Sequence, residues 1–206
     1  MRPWADLDGH GAGADMRTLI VGDSQAAGTP GASLERLLIR DGDTVQRLGY
    51  VGHGAGDWRQ MHWAEYQHTL SSFQPDRVVL IFGSNDAAGP RLRSAMQAFR
   101  ESAAAVYYAG PPQYPTVASA QESSAKIRAL ARQIFGPAHL DAWGVSGPNV
   151  ERTPDGLHFT AAGGDVWGRG IYTLLPRPQS VIGWVVGGLT LAVAAGILWA
   201  TLRVNE

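Results

Sequence analysis

The stretch Arg77-Val-Val-Leu-Ile-Phe82 most constrains the fold. An unbroken apolar run this short reads as a strand covered on both faces, as at the middle of a parallel sheet. Around it, strand-like and helix-like segments alternate. Residues 18–21 are a short apolar run ended by Gly22, 44–48 a weaker strand, 106–109 a fourth strand stopped by Gly110-Pro111-Pro112, and 139–141 a short fifth. Between them, 33–40 carries Leu34, Leu37 and Leu38 at helical spacing, and 58–73 reads as a helix of mixed aromatic content. The segment 91–104 puts Leu92, Met96, Phe99 and Ala103 on one face, and 119–135 aligns Ile127, Leu130 and Ile134. Thr160 caps a last helix from Ala161 to about residue 174. This alternation predicts a three-layer α/β/α domain around a five-stranded, mostly parallel sheet. Ligands of such sheets bind outside the carboxyl ends of the strands.

Three of these strands run directly into small polar turns. Gly22-Asp23-Ser24 follows the first, Gly49-Tyr50-Val51-Gly52 the second, and Gly83-Ser84-Asn85-Asp86 the third. A fourth piece, Asp155-Gly156-Leu157-His158, precedes the last helix. In a parallel sheet the first three turns share one edge. The pieces supply the parts of an acyl-transfer site. A serine attacks once a base removes its proton, and a histidine steadied by an aspartate can be that base. A glycine amide and an asparagine side chain can hold an oxyanion, and losing one such donor costs about 3–4 kcal/mol. Read singly, each piece has a plainer explanation. Ser24 can cap the helix that follows, and Asn85 can be a turn former. Gly52 can be a simple turn, and Gly49, Gly54 and Gly56 compete with it for register.

In this order and rough spacing the four pieces resemble the SGNH (GDSL-type) hydrolase family, across roughly residues 17–174. The resemblance implies Ser24 as nucleophile, His158 as general base and Asp155 as the group that orients it. It implies an oxyanion hole of the Ser24 amide, the Gly52 amide and the Asn85 side chain. Gly52 is preferred because Gly49-x-x-Gly52 followed by Asp57-Trp58 best matches the family's second block. Asp86 is expected to anchor its loop. No metal or cofactor is implied, and His10, His53, His62, His68 and His139 form no convincing metal motif; His53 adjoins Gly52. Tyr50, Trp58 and the segments 110–117 and 143–152 are expected to rim the site, their aromatics packing loops rather than stacking on sugars. Relatives include carbohydrate acetylesterases, lipases and thioesterases. Short loops favour a shallow, open site and a small acyl group such as acetyl. The leading expectation is a membrane-anchored serine esterase that removes O-acetyl groups from a cell-wall or surface glycan. The alternatives are a lipase or thioesterase working on membrane lipid, and a non-catalytic membrane or virion protein that keeps the fold.

Composition narrows the field further. Cysteine is absent, which excludes disulfides, thiolate metal sites and a cysteine nucleophile. A net charge of -1 with no basic face argues against nucleic acid as a partner. Of the 17 basic residues only Lys126 is not Arg, a bias expected of GC-rich bacterial or phage genes. Residues 1–16 read as a polar, glycine-rich arm without the apolar core of a signal peptide, 17–175 as the hydrolase domain, and 176–180 as a linker around Pro176-Arg177-Pro178. The stretch that opens at Val181 and closes at Leu202 holds 22 residues without a charge. As a helix it is about 33 Å long, enough for a bilayer core, and Trp184 and Trp199 stand near its ends, where indole prefers the interface. It is expected to be a transmembrane helix ahead of the tail 203–206, with a buried core helix as the alternative. Gly183, Gly187, Gly188, Ala192 and Gly196 stand at four-residue spacings that suit close self-association in a membrane. Flanking Arg177 and Arg203 balance, so orientation stays open. A tail-anchored protein would keep its domain cytoplasmic, while a virion or envelope membrane is the other location considered.

Overall fold

The computed structural model describes residues 16–83 and 85–177. The expectations placed on residues 1–15, on Ser84 and on the apolar stretch 181–202 lie outside the described residues. Asp15–Leu175 form one compact unit. Five strands, β1 (Arg17–Gly22), β2 (Thr44–Gly49), β3 (Arg77–Ile81), β4 (Val106–Ala109) and β5 (His139–Leu140), make one sheet in the order β2-β1-β3-β4-β5. Every pairing is parallel. The helices are α1 (Ser24–Ala27), α2 (Thr29–Arg40), α3 (Ala55–Asp57), α4 (Trp63–Phe73), α5 (Pro90–Glu101), α6 (Ala118–Phe135) and α7 (Ala161–Leu174). A π turn, Trp58–His62, joins α3 to α4. Among the described residues no helix is long and apolar enough to cross a membrane.

The apolar run that begins at Arg77 becomes β3, buried along its whole length. Alternation splits its side chains between two cores. Val78, Leu80 and Phe82 join Leu19 and Val21 beneath α4, α5 and α6, with Tyr66, Met96, Phe99, Ile127 and Phe135. Val79, Ile81 and Ile20 face α2 and α7, with Leu34, Leu38, Trp167 and Ile171. Each helix therefore buries the face that its periodicity marks.

The boundaries differ from the sequence reading where the cause is not apolar spacing. The first long helix, expected at 33–40, begins at Thr29 with Pro30 in its first turn. A proline there loses no hydrogen bond, because the first N–H groups of a helix have no internal acceptor. This turn lies against α7, where a Cβ on Gly164 would stand 2.2 Å from Thr29 Oγ1 and one on Gly168 2.7 Å from the Pro30 carbonyl. Close approach through glycine leaves no trace in a hydrophobic pattern. The helix expected to run to residue 104 stops at Glu101, and the Ser102 hydroxyl donates to the Phe99 carbonyl at 2.6 Å. β5 ends at Leu140 because Asp141 turns aside to pair with Arg128 and Arg132 on α6.

A buried ionic cluster closes the amino-terminal edge of the sheet. Arg77 donates from Nη2 to Asp43 Oδ2 at 2.6 Å and from Nε to Thr18 Oγ1 at 2.8 Å, and the Thr18 hydroxyl donates to Asp43 Oδ2 at 2.7 Å. It joins the starts of β1 and β3 to the segment entering β2. Removing one partner from a buried pair costs about 3–5 kcal/mol, because the remaining charge loses its compensation. Asp43→Ala should therefore lower the unfolding free energy extrapolated from urea titration by about 3–5 kcal/mol, through a lower midpoint with little change in the denaturant slope.

Candidate active site

The parallel sheet sends β1, β2 and β3 out at the same edge, and the three polar turns emerge side by side. Gly22 pairs with Gly49 and Ile81 at the strand ends. A Cβ on Gly22 would stand 1.9 Å from the Ile81 carbonyl oxygen, so the turn after β1 needs glycine. The next residues form α1, capped by Asp23, with Ser24 as its first residue. The Ser24 amide belongs to the first helical turn, whose N–H groups have no acceptor within the helix.

Asp23 is fully buried. Its Oδ1 accepts from the Gln25 amide at 2.9 Å, and its Oδ2 accepts from the Gly83 amide at 2.6 Å and Asn85 Nδ2 at 2.8 Å. The carboxylate thus clamps the turn after β1 to the turn after β3. An amide nitrogen carries two protons. One from Asn85 goes to Asp23, and the side chain is otherwise exposed. Burial pushes the Asp23 carboxyl up to about 6, against the pull of its hydrogen bonds from Gln25, Gly83 and Asn85.

The fourth piece comes to the same place from far along the chain, His158 lying 134 residues beyond Ser24. His158 Nε2 stands 3.0 Å from Ser24 Oγ, and His158 Nδ1 stands 2.6 Å from Asp155 Oδ2. The other oxygen of Asp155 accepts from Thr153 Oγ1 at 2.6 Å, Leu157 N at 2.9 Å and His158 N at 3.0 Å. These bonds, the one from His158 first, hold the Asp155 carboxyl well below the usual carboxylate range. The loop turns at Gly156, whose φ is +69°, and a Cβ there would stand 2.4 Å from Thr116 Oγ1. The ring nitrogens thus face a hydroxyl on one side and a carboxylate on the other, the order of a serine–histidine–aspartate triad, in which the carboxylate orients the ring.

Gly52 sits in the turn after β2 with φ +81°, exposed, in a segment tied to the first strand by Tyr50 N to Gly22 O at 3.0 Å. Two of the three competing glycine amides are committed. Gly54 N donates to Asp57 Oδ2 at 3.2 Å and Gly56 N to Asp86 Oδ1 at 3.1 Å. Asp86 also takes the Ala55 amide at 2.6 Å, so it fastens the third turn to the start of α3. Direct contacts therefore join Ser24, His158 and Asp155, Asn85 joins through Asp23, and Gly52 lies on the neighbouring turn after β2. The aromatics expected at the rim pack the loops. Trp58 is wholly buried and its indole donates to the Gly22 carbonyl at 3.0 Å, while Tyr50 stacks on His62 with centroids 3.9 Å apart.

Two residues that hold this site were not singled out from the sequence. Asp23 lies inside a motif noted for its serine, and an acidic residue at the end of a buried strand was the available signal. Arg152 had no such signal. Its guanidinium donates to three carbonyls, those of Leu157, Gln113 and Ser146, and lies over the Phe159 ring at 4.1 Å. Gln25 Nε2 reaches the same Leu157 carbonyl at 3.3 Å. The loop bearing His158 is thereby held by an arginine on one side and by the neighbour of Ser24 on the other.

The model of the GDSL-like Lipase/Acylhydrolase family matches residues 20–166, well over half the chain. The chain belongs to that family. It is a serine hydrolase acting on carboxylic esters. No protein of curated function matches it. Among solved structures, this GDSL-like chain superposes on a catalytic mutant of Axe2, an acetylxylan esterase from Geobacillus stearothermophilus, with a TM-score of 0.64 and 15% identity over 82% of this chain and 98% of that one. It superposes on LAE5, an alpha/beta hydrolase enzyme from the metagenome of Lake Arreo, with a TM-score of 0.63 and 14% identity over 79% of this chain and 95% of that one. At such identities the likeness speaks for the fold.

The Asp23 position carries a pH signature. Its carboxyl binds a proton more tightly folded, at about 6, than unfolded, near 3.8. Between those values the native state holds the extra proton, so this residue's contribution to stability falls as pH rises from about 4 to about 6. Two pH units correspond to roughly 3 kcal/mol. The difference in unfolding free energy between wild type and Asp23→Asn should change by about that amount over this window. A difference that is flat with pH would remove Asp23 from this role.

Proposed function

We propose that Ser24 attacks the ester carbonyl and forms an acyl-enzyme, with His158 as general base and Asp155 as its orienting carboxylate. The observation that carries this is the pair of contacts on one imidazole, 3.0 Å to Ser24 Oγ and 2.6 Å to Asp155 Oδ2. His158 Nε2 takes the Ser24 proton as the oxygen–acyl bond forms. The carbonyl electrons pass to the oxyanion, held by the amides of Ser24 and Gly52 and the free proton of Asn85 Nδ2. When the tetrahedral intermediate collapses, the bond to the alcohol breaks and His158 returns the proton to the departing oxygen. Water repeats the sequence and frees the acid. The catalytic variants made in Axe2 replace a serine, an aspartate and a histidine, the last two spaced by three residues as Asp155 and His158 are.

The substrate is proposed to carry a small acyl group, acetyl in particular, on a cell-wall or surface glycan. The open setting of the three turns supports this, as does a fold shared with esterases that act on acetylated xylan and xylo-oligosaccharide. Ser24→Ala should abolish turnover of p-nitrophenyl esters and labelling by a fluorophosphonate. Asn85→Ala should retain labelling at a lower rate and lose about 10²- to 10³-fold in kcat. Activity should fall steeply from acetyl to octanoyl esters. A preference for long chains would instead favour a lipase or thioesterase, and turnover by Ser24→Ala would overturn the mechanism.

The stretch from Val181 to Leu202 is proposed to anchor this domain in a membrane as a single C-terminal span. Its uncharged length and its terminal Trp184 and Trp199 support the reading, and its small residues suit pairing of two such helices. The residues assigned to chemistry all precede Phe159. Expressed side by side, the full chain should sediment with membranes and residues 1–175 should stay in the supernatant with comparable kcat on p-nitrophenyl acetate. A full chain that stays monomeric in plain buffer would refute the anchor.

A further inference from the structure

Beside the loop that bears Asp155 and His158 lies an open cleft of about 500 Å³. One wall is Pro115-Thr116, from the segment after β4, and the other is the run from Pro148 to Arg152. We propose that this cleft receives the alcohol half of the ester and selects an alcohol rich in hydroxyl groups, as a sugar is. The proposal rests on the serine-esterase reading above and deepens it.

Stereochemistry gives the direction. The tetrahedral carbon carries the Ser24 oxygen, the oxyanion, the acyl chain and the departing oxygen. The oxyanion is fixed toward Gly52 and Asn85. The departing oxygen must lie within reach of His158 Nε2 to receive the proton taken from Ser24. The rest of the alcohol therefore continues on the side of the His158 loop. Thr153, Pro154 and Gly156 of that loop line the cleft. One atom shows how near the cleft comes to the chemistry. The Leu157 carbonyl, one residue before His158, accepts from Gln25 beside Ser24 and from Arg152 in the cleft wall.

The lining gives the chemical class. The cleft contains no aromatic residue, and Val150 is its single aliphatic one apart from prolines. An acyl or alkyl chain would bury little area there. The exposed Thr116 hydroxyl and Asn149 amide make no hydrogen bond with other described residues, so each is available as donor and acceptor. Glu151 uses one carboxylate oxygen on the Thr160 hydroxyl at 2.9 Å and presents the other. Pro115, Pro148 and Pro154 fix their own backbone angles, which lowers the ordering entropy lost on binding.

The test compares two acetyl esters with the full chain in detergent. p-Nitrophenyl acetate has a flat leaving group without hydroxyls, and an acetylated xylo-oligosaccharide has many. Asn149→Trp fills the cleft, and Asn149→Ala empties it without adding bulk. Both should lower the ratio of kcat/KM on the oligosaccharide to kcat/KM on p-nitrophenyl acetate, Asn149→Trp by about tenfold, a change of roughly 1.4 kcal/mol, and the loss should fall on KM. The oligosaccharide without its acetyl groups should inhibit p-nitrophenyl acetate hydrolysis competitively in the wild type and weakly in Asn149→Trp. An unchanged ratio in both variants overturns the assignment, as does a wild type that turns over the nitrophenyl ester but not the sugar ester. A wild type inert on both overturns the esterase reading itself, and the cleft assignment with it.

Discussion

One buried carboxylate organises the functional edge of this domain. Asp23 has no exposed surface, and it gathers the amides of Gln25 and Gly83 and the side chain of Asn85. A fully buried charge is tolerable only with such satisfaction. The same bonds that make its burial bearable fix Ser24 relative to Asn85. Geometry that catalysis needs to sub-ångström tolerance is thus inherited from a folding constraint. The raised pKa of Asp23 is the residue of that compromise: its hydrogen bonds offset part of the desolvation and leave the rest.

The second half of the site has a different origin. Asp155 and His158 sit on an irregular loop, outside the sheet. Their positions come from side chain to backbone bonds: Asp155 to the amides of its own loop, Arg152 and Gln25 to the Leu157 carbonyl. Gly156 supplies the positive φ that closes the turn. A rigid parallel sheet and a laced loop therefore meet where His158 reaches Ser24, with Gln25 holding Leu157 beside it.

Much of this was legible in the sequence, for identifiable reasons. Continuous apolar runs and helical spacing gave the strand and helix order, since burial on two faces leaves that pattern. Ser24, Asp155 and His158 stood out because the short pieces that carry them resemble the SGNH family's blocks in order and rough spacing. The start of α2 and the glycine contact with α7 were not legible, because backbone proximity is not written in hydropathy. Arg152 was missed because its acceptors are carbonyls, which every residue possesses. Which glycine amides near the second turn are occupied was not legible in the sequence: Gly54 and Gly56 are taken by Asp57 and Asp86 through folded contacts.

The arginine clamp has a consequence for how such a site can diverge. Arg152 grips Leu157, Gln113 and Ser146 only through backbone oxygens. Leu157, beside the reactive histidine, can change its side chain without loosening the grip, whereas Gln113 and the buried Ser146 add side-chain bonds of their own. The loops flanking the reactive residues can then be rewritten by mutation, changing the shape and polarity offered to a new ester, while the imidazole stays where it is. Anchoring through main chain separates the evolution of selectivity from the upkeep of reactivity.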